Sequence, residues 1–248
     1  MSSPFRIAQV SDCHLPESAD ISYRGINAYK NLERVLQKVA DFAPQLVLAT
    51  GDLSEDASPS SYDALKRYFD ALDIEVLAVP GNHDKPQSVA DVFPGSPVAD
   101  VQASEHGIWQ IIRINSCIDG RPEGRVLDDN LKQLAAIMQK NPQQPRLLVL
   151  HHQPVTVGSP WIDKYRLQDP EEFLDLVSAA NGVKAVLWGH VHQAFSSQHQ
   201  GAGLLACPSS AINGLPGHEK FTPDPEGPAF RWLELADDGS FDTGVTHA

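Results

Sequence analysis

The feature that most constrains this chain is what stands at the ends of its apolar runs. Phe5 to Val10 leads into Ser11-Asp12-Cys13-His14, Leu46 to Thr50 into Gly51-Asp52, and Ile74 to Val79 into Pro80-Gly81-Asn82-His83-Asp84. Leu147 to Leu150 leads into His151-His152, and Val183 to Trp188 into Gly189-His190-Val191-His192. Short, mostly apolar runs of this kind read as strands buried on both faces of a largely parallel sheet. The carboxyl ends of such strands share one edge, and ligands bind there. Five runs that each end in Asp, Asn or His therefore gather those side chains in one crevice.

The segments between the runs support an α/β fold. A further strand is expected over Ile108 to Ile114. Leu32, Val35, Leu36 and Val39 recur at helical spacing, and a second helix starts at Ser58-Pro59 and turns Tyr62, Leu65, Phe69 and Leu72 inward. Leu127, Leu131, Leu134 and Met138 form a third stripe that stops at Asn141-Pro142. A fourth helix opens with Asp169-Pro170-Glu171-Glu172, a start resembling a capping box, and ends near Asn181-Gly182. Core packing is the reading for all these stripes. Beyond His192 the pattern turns to short strands at Ala194 to Gln198, Leu204 to Cys207 and Ala229 to Leu235, with an ordered Pro- and Gly-rich loop from Gly214 to Pro228. No repeat or composition break divides the chain, so one domain over residues 1–248 is expected.

Bulk properties narrow the function classes. The 248 residues are 42% hydrophobic and 21% charged, as in an ordinary globular protein, and no apolar run is long enough to span a membrane. The formal charge of −13 argues against nucleic acid held by its backbone, because such binders carry a basic footprint. A small anionic substrate remains compatible, since bound metal charge dominates locally. Three scattered cysteines, Cys13, Cys117 and Cys207, read as reduced thiols and point to a cytoplasmic protein without a membrane partner.

Mixed imidazole and carboxylate donors suit Mn, Fe, Zn or Co. Two such ions about 3.5–4 Å apart hold both the attacking and the leaving oxygen of a phosphoryl displacement. Asp12 and His14 stand at alternate positions and can share an ion, Asp52 has two oxygens and can bridge, and Asn82 offers a neutral carbonyl oxygen. His190 and His192 can supply one imidazole each. Every piece has a bland reading by itself: Gly-Asp and Gly-Asn are common in turns, His151-His152 reads as two satisfied histidines, and Gly-His-x-His fits a simple zinc site. It is the ordered series of five, each after a buried run, that points to a metal centre.

The series Asp12-x-His14, Gly51-Asp52, Gly81-Asn82-His83-Asp84, His151 and Gly189-His190-x-His192 resembles the full signature of the calcineurin-like metallophosphoesterases. The segments Asn27 to Leu32, Ser58 to Tyr62, His151 to Pro154, Trp161 to Asp163, Cys207 to Ser210 and Gly227 to Leu235 are similar to the bacterial 3′,5′-cyclic AMP phosphodiesterases, the class III cyclic nucleotide enzymes. The resemblance implies a four-layer αββα sandwich, two mixed β-sheets facing each other and flanked by helices. It also implies two divalent or mixed-valence ions, Fe or Mn foremost, with Zn or Co as alternatives. Asp12, His14 and His192 would hold one ion, Asn82, His151 and His190 the other, and Asp52 would bridge them. Relatives carry a third His where Gln153 stands, which leaves His152 open as the ligand; His151, first past the strand, is the expected one. Cys13 replaces a Thr or small residue and reads as a buried bystander.

The resemblance further implies a small phosphodiester substrate, cyclic AMP, opened to the nucleoside monophosphate by water activated between two metals. His83, beside Asn82, is placed to protonate the leaving oxygen, and Asp84 either holds His83 or caps the next turn. Arg24 either meets a phosphate or stays solvated, and Trp161 either stacks a base or anchors its own loop. Rival readings are another diesterase, acting on glycerophosphodiesters or on nucleotide-sugar or lipid pyrophosphates, a non-catalytic scaffold, and a nuclease; the last is disfavoured by the acidic balance.

Overall fold

The computed structural model describes residues 3–248. Two sheets carry the fold. The first has five strands in the order β13-β12-β1-β2-β3, where β1 is Phe5–Val10, β2 Leu46–Thr50, β3 Glu75–Val79, β12 Ala229–Leu235 and β13 Phe241–His247. The second has six in the order β10-β11-β9-β7-β5-β4, with β4 Val101–His106, β5 Trp109–Ile114, β7 Arg146–Val149, β9 Val183–Trp188, β10 Phe195–His199 and β11 Ala202–Ala206. A third, minor pair joins β6, Gly124–Arg125, to β8, Leu167–Gln168. The first three strands are mutually parallel, as are β5, β7, β9 and β11, while β12, β13, β4 and β10 run antiparallel to their neighbours. Both sheets are mixed.

Side-chain alternation explains the layering, because successive residues of a strand face opposite ways. Ile7, Leu46 and Leu48 enter a core shared with Ile111, Leu147, Val149, Ala185 and Leu187 of the second sheet. Their neighbours Ala8, Val10, Val47 and Ala49 face the other way, onto helices α1, Ala28–Phe42, and α2, Pro59–Asp70. On the far side of the second sheet, Ile112, Leu148 and Val186 pack against α4, Asp128–Lys140, and α6, Pro170–Ala179. Three cores between four layers give the expected αββα sandwich. Leu48→Ala in the central core would leave a cavity costing about 2–5 kcal/mol.

The helix starts follow local chemistry. Asn27 accepts a hydrogen bond from the Lys30 amide at 3.0 Å, and Ser58 accepts one from the Ser61 amide at 3.3 Å ahead of Pro59. Two expectations need correction. Leu127 is not part of the inward stripe: it precedes α4 and is 54% exposed. Asp169 does not cap α6: its φ is 47°, it makes no capping bond, and its carboxylate lies 3.7 Å from Arg125. The short helices α3, Pro86–Val92, and α5, Pro160–Asp163, and the strands β4 and β13 come in addition to the elements expected.

Candidate metal centre

The strand ends meet at one edge, and the backbone there is strained. Asp12, His14, Asp52, His190 and His192 have φ values of 52°, 44°, 50°, 66° and 49°. Residues with a Cβ rarely occupy this left-handed region, and each instance costs about 1–3 kcal/mol unless its surroundings enforce it. The enforcement is visible. Asp12 and His14 donate their amides to Gly51 O and Asp52 O, both at 2.9 Å, so the exits of β1 and β2 run laced together. The His190 amide donates to the Asp12 carboxylate at 3.0–3.1 Å, tying the exit of β9 to the first. Glycine is needed at Gly81 and Gly189 for close approach: a Cβ would come within 2.1 Å of the Asp52 amide and 1.9 Å of Ser11 Oγ, respectively. At Gly51 it is the backbone angle itself, φ +87°, that calls for glycine.

The gathered side chains form two groups. In one, His14 Nε2 and His192 Nε2 lie 3.0 Å apart, with Asp12 Oδ1 3.4 Å from His192 Nε2 and 4.0 Å from His14 Nε2. In the other, His151 Nε2 stands 3.3 Å from Asn82 Oδ1 and 3.2 Å from His190 Nδ1. Asp52 lies between them: its Oδ2 is 3.7 Å from His14 Nε2 and its Oδ1 3.4 Å from His151 Nε2. One carboxylate oxygen thus faces each group. All seven expected metal-binding residues are brought together, and all but the half-buried Asn82 are buried.

Hydrogen bonding on the outer side fixes what the imidazoles present to the centre. His14 Nδ1 is 2.7 Å from the Glu55 carboxylate, His151 Nδ1 2.8 Å from Thr50 O, His192 Nδ1 2.8 Å from Ile212 O and His190 Nε2 3.2 Å from Tyr165 O. Each of these partners only accepts, so each outer nitrogen carries the proton and the inner nitrogen of a neutral ring turns a lone pair inward. Four imidazole nitrogens, two carboxylates and an amide oxygen then converge, with the backbone amides of His83 and His190 donating to the two carboxylates. A buried pocket of that make-up favours positive charge, which bound cations would supply. The donor set fits two of them.

Charge shifts agree with this picture. Burial and the other histidines hold His190 and His152 well below the usual imidazole value, in the neutral form a metal needs. Burial opposes charge on His151 too, but the Asp52 carboxylate and its hydrogen bond lift it to about 9. For Asp52, burial acts upward and is outweighed by His151 and His14, leaving it well below the carboxylate range. A proton on His151 answers the same negative field that a metal would.

His152 differs from His151. Its Nδ1 lies 2.8 Å from Ser116 Oγ, which already accepts the His151 and His152 amides at 3.3 Å, and its ring is pressed against Gly124. Its Nε2 has no hydrogen-bond partner among the described residues. It belongs to the second group's neighbourhood, with a ligand atom within 4.8 Å of those of His151 and His190, but it makes no hydrogen bond or ion pair with Asn82 or Asp52. His151 has both.

His83 sits at the rim with its side chain 36% exposed, its amide bonded to Asp52 Oδ1 at 2.9 Å and its Nδ1 3.0 Å from Glu55 O. Burial lowers its pKa, but Asp52 and Glu55 reverse the sign and raise it above the ordinary value. A partnership with Asp84, one of the two readings left open for it, is not what the structure contains. Asp84 turns away to accept from the amides of Leu53, Ser54 and Gly81 and from Tyr62 Oη, all at 3.0–3.1 Å. Of the two readings for Asp84, the turn-holding one fits. The acidic partner of His83 is Glu55, whose Oε2 lies 3.3 Å from His83 Nδ1 and also supports His14. Sequence reasoning missed Glu55; the only signal was an acid three residues past Asp52.

The centre opens into a cavity of about 360 Å³ lined by His14, Asp52, Asn82, His190 and His192, by His83 at the rim, and by Tyr23, Arg24, Trp161, Lys164 and Phe221 among others. Tyr23 stacks on His14, with ring centroids 4.4 Å apart and 10° between planes. Cys13 is wholly buried with its thiol pushed up to about 12 by burial, as a bystander should be. His106, His199, His218 and His247 bond locally to Ser104, Ser178, Thr222 and Glu226.

The sequence profile described as calcineurin-like phosphoesterase matches residues 5–194. The chain is 34% identical over 97% of its length, and 89% of the relative's, to the 3′,5′-cyclic adenosine monophosphate phosphodiesterase CpdA of Pseudomonas aeruginosa. It is 32% identical over 98% of its length, and 92% of the relative's, to a 3′,5′-cyclic-nucleotide phosphodiesterase of Nostoc. Among solved structures, a dimetal phosphatase from Danio rerio superposes with a TM-score of 0.72 at 15% identity, covering 95% of this chain and 94% of that one. The purple acid phosphatase of yellow lupin gives 0.70 at 13% identity, covering all (100%) of this chain and 52% of the other. These two show the fold.

Proposed function

Because the chain belongs to the calcineurin-like phosphoesterase family, we propose that it is a metal-dependent hydrolase that opens 3′,5′-cyclic AMP, and other cyclic nucleotides, to the nucleoside 5′-monophosphate. The observation that carries the chemistry is the position of Asp52, with one oxygen toward each of two lone-pair clusters. The choice of substrate is supported by the cyclic nucleotide phosphodiesterases it resembles over nearly its whole length.

In this reading Asp12, His14 and His192 hold one ion, Asn82, His151 and His190 hold the other, and Asp52 binds both. Iron or manganese is the proposed pair, zinc and cobalt being the alternatives for this donor set. When bound, two such ions supply a strong nucleophile at neutral pH and offset charge on the phosphoryl oxygens. The rest falls to the chain itself. Glu55, Thr50 O, Ile212 O and Tyr165 O hold the imidazoles in the tautomers that present lone pairs. His83 keeps Nδ1–H on Glu55 O, so Nε2 is the atom that carries a proton to the departing ester oxygen, and its raised pKa keeps that proton available. Asp84 fixes the turn that presents Asn82 and His83. The whole chain works as one domain, on a small diester substrate and without nucleic acid.

We place the protein in the cytoplasm on the strength of its three free cysteines; among the described residues, no helix is long and apolar enough to cross a membrane. The test is a panel of diesters offered to the manganese-loaded protein, with products identified. Cyclic AMP should yield 5′-AMP. Turnover of glycerophosphodiesters or pyrophosphates with none of cyclic AMP would overturn the substrate assignment.

A further inference from the structure

Among the cavity walls, one aromatic face stands out by its occupant. Arg24 is exposed, and its guanidinium carbon lies 4.5 Å over the Phe221 ring and 5.5 Å over the Tyr23 ring, while its Nε donates to Tyr23 Oη at 3.0 Å. Among the described residues it has no carboxylate partner, in a chain with 32 acidic residues against 19 basic ones. The guanidinium therefore rests on the one half-buried Phe of the cavity lining.

The Phe221 ring itself is held in place. Trp161 meets it edge-on, with centroids 5.1 Å apart and 84° between planes, and a Cβ on Gly214 would come within 3.2 Å of its edge. The loop that carries it is closed by the Leu215 amide on Thr222 O at 2.8 Å and joined to the centre by the Gly214 amide on His192 O at 2.8 Å. Phe221 and His192 have ring centroids 6.3 Å apart. One sugar is enough to join a phosphate at the centre to a flat group on that ring. Trp161, packed against the core under α5, serves as the support of the platform.

We propose that the face of Phe221 now covered by Arg24 is where the substrate's nucleobase stacks, the base displacing the guanidinium, which stays tethered at Tyr23. The inference rests on the cyclic nucleotide reading above and adds the residue that recognises the base. A guanidinium and a nucleobase are both flat and delocalised, and an exposed cation–π contact is weak enough to give way. Stacking reads the π-face rather than the edge, so the platform selects for a base without choosing strongly between adenine and guanine.

The test uses the manganese-loaded protein and calorimetric Kd values for 5′-AMP and for inorganic phosphate, which carries no base. Phe221→Leu should raise the Kd of 5′-AMP about tenfold, within the range stacking contributes, and leave that of phosphate unchanged. Phe221→Tyr should restore 5′-AMP binding. Arg24→Ala, at an exposed residue without an ion pair, should tighten 5′-AMP about threefold by removing a competitor, again without moving phosphate. Equal shifts for both ligands in Phe221→Leu, no shift in either, or weaker 5′-AMP binding in Arg24→Ala would overturn the proposal. If Phe221→Leu does not fold, the Arg24→Ala result decides. Wild-type protein that leaves cyclic AMP intact would sink the substrate reading instead, whereas normal turnover with an indifferent Phe221→Leu sinks only the platform.

Discussion

Glu55→Gln changes one charge while keeping shape, and its consequences follow from two contacts. Glu55 Oε2 lies 2.7 Å from His14 Nδ1 and 3.3 Å from His83 Nδ1. A hydrogen bond to a charged acceptor contributes about 1.5–3 kcal/mol, against about 0.5–1.5 kcal/mol for a neutral one. The difference is about 1 kcal/mol after allowing for solvent, since the Glu55 side chain is 32% exposed. That corresponds to about fivefold weaker metal binding at the group containing His14, less than the 10–100-fold typical of deleting such a partner because the carboxamide still accepts. The second consequence is on His83. Burial pulls its pKa down, and Asp52, the Glu55 carbonyl and the Glu55 carboxylate pull it up past the ordinary value. Removing the carboxylate leaves the downward effect less opposed, so the acid form is lost at a lower pH. With metal saturating, the alkaline limb of kcat should therefore move toward acid pH. A pH–rate profile and a metal titration read both effects. An unmoved limb, or one displaced to higher pH, would refute the assignment of Glu55 as the partner of His83.

Three further outcomes follow from the geometry. His83→Ala should lower kcat by about 10²–10⁴-fold with metal content intact, the range for loss of a general acid; unchanged turnover on cyclic AMP would remove its role. Asp84→Asn should cost about 1–3 kcal/mol in thermal unfolding, because an amide NH₂ would face two of the four donors now satisfied; a large kcat loss with an unchanged Tm would restore Asp84 to the chemistry. Gly189→Ala forces a Cβ to 1.9 Å from Ser11 Oγ and 2.8 Å from Thr50 O, so Tm should fall by the equivalent of about 1–3 kcal/mol or more; an unchanged Tm would mean the β9 exit is less tightly held than it stands here.

Much of the layered core was legible because β1, β2, β7 and β9 are buried along most of their length, and a mostly apolar sequence marks such strands whatever surrounds them. The edge strands were not. β4 and β13, Val-Gln-Ala-Ser-Glu-His and Phe-Asp-Thr-Gly-Val-Thr-His, are mostly polar and are held by pairing on one side to β5 and β12. Each owes its strand state to the hairpin partner next along the chain, not to an apolar pattern of its own. The metal-facing residues were legible for a related reason: each follows a readable strand, and a parallel sheet sends all such exits to one edge. What sequence did not disclose is where the side chains turn. Adjacency suggested that Asp84 holds His83, but the turn aims Asp84 at three amides, and Glu55 reaches His83 from another strand's exit. The left-handed conformations at Asp12, His14 and His192 likewise depend on amide partners across the crevice, which no local spacing reveals.

Anomalous scattering from manganese-soaked crystals addresses the centre itself. Two peaks about 3.5–4 Å apart are expected, one among Asp12, His14 and His192, the other among Asn82, His151 and His190, with Asp52 touching both. A single peak, or a second ion bound by His152 with Asp52 reaching only one, would contradict the two-metal account.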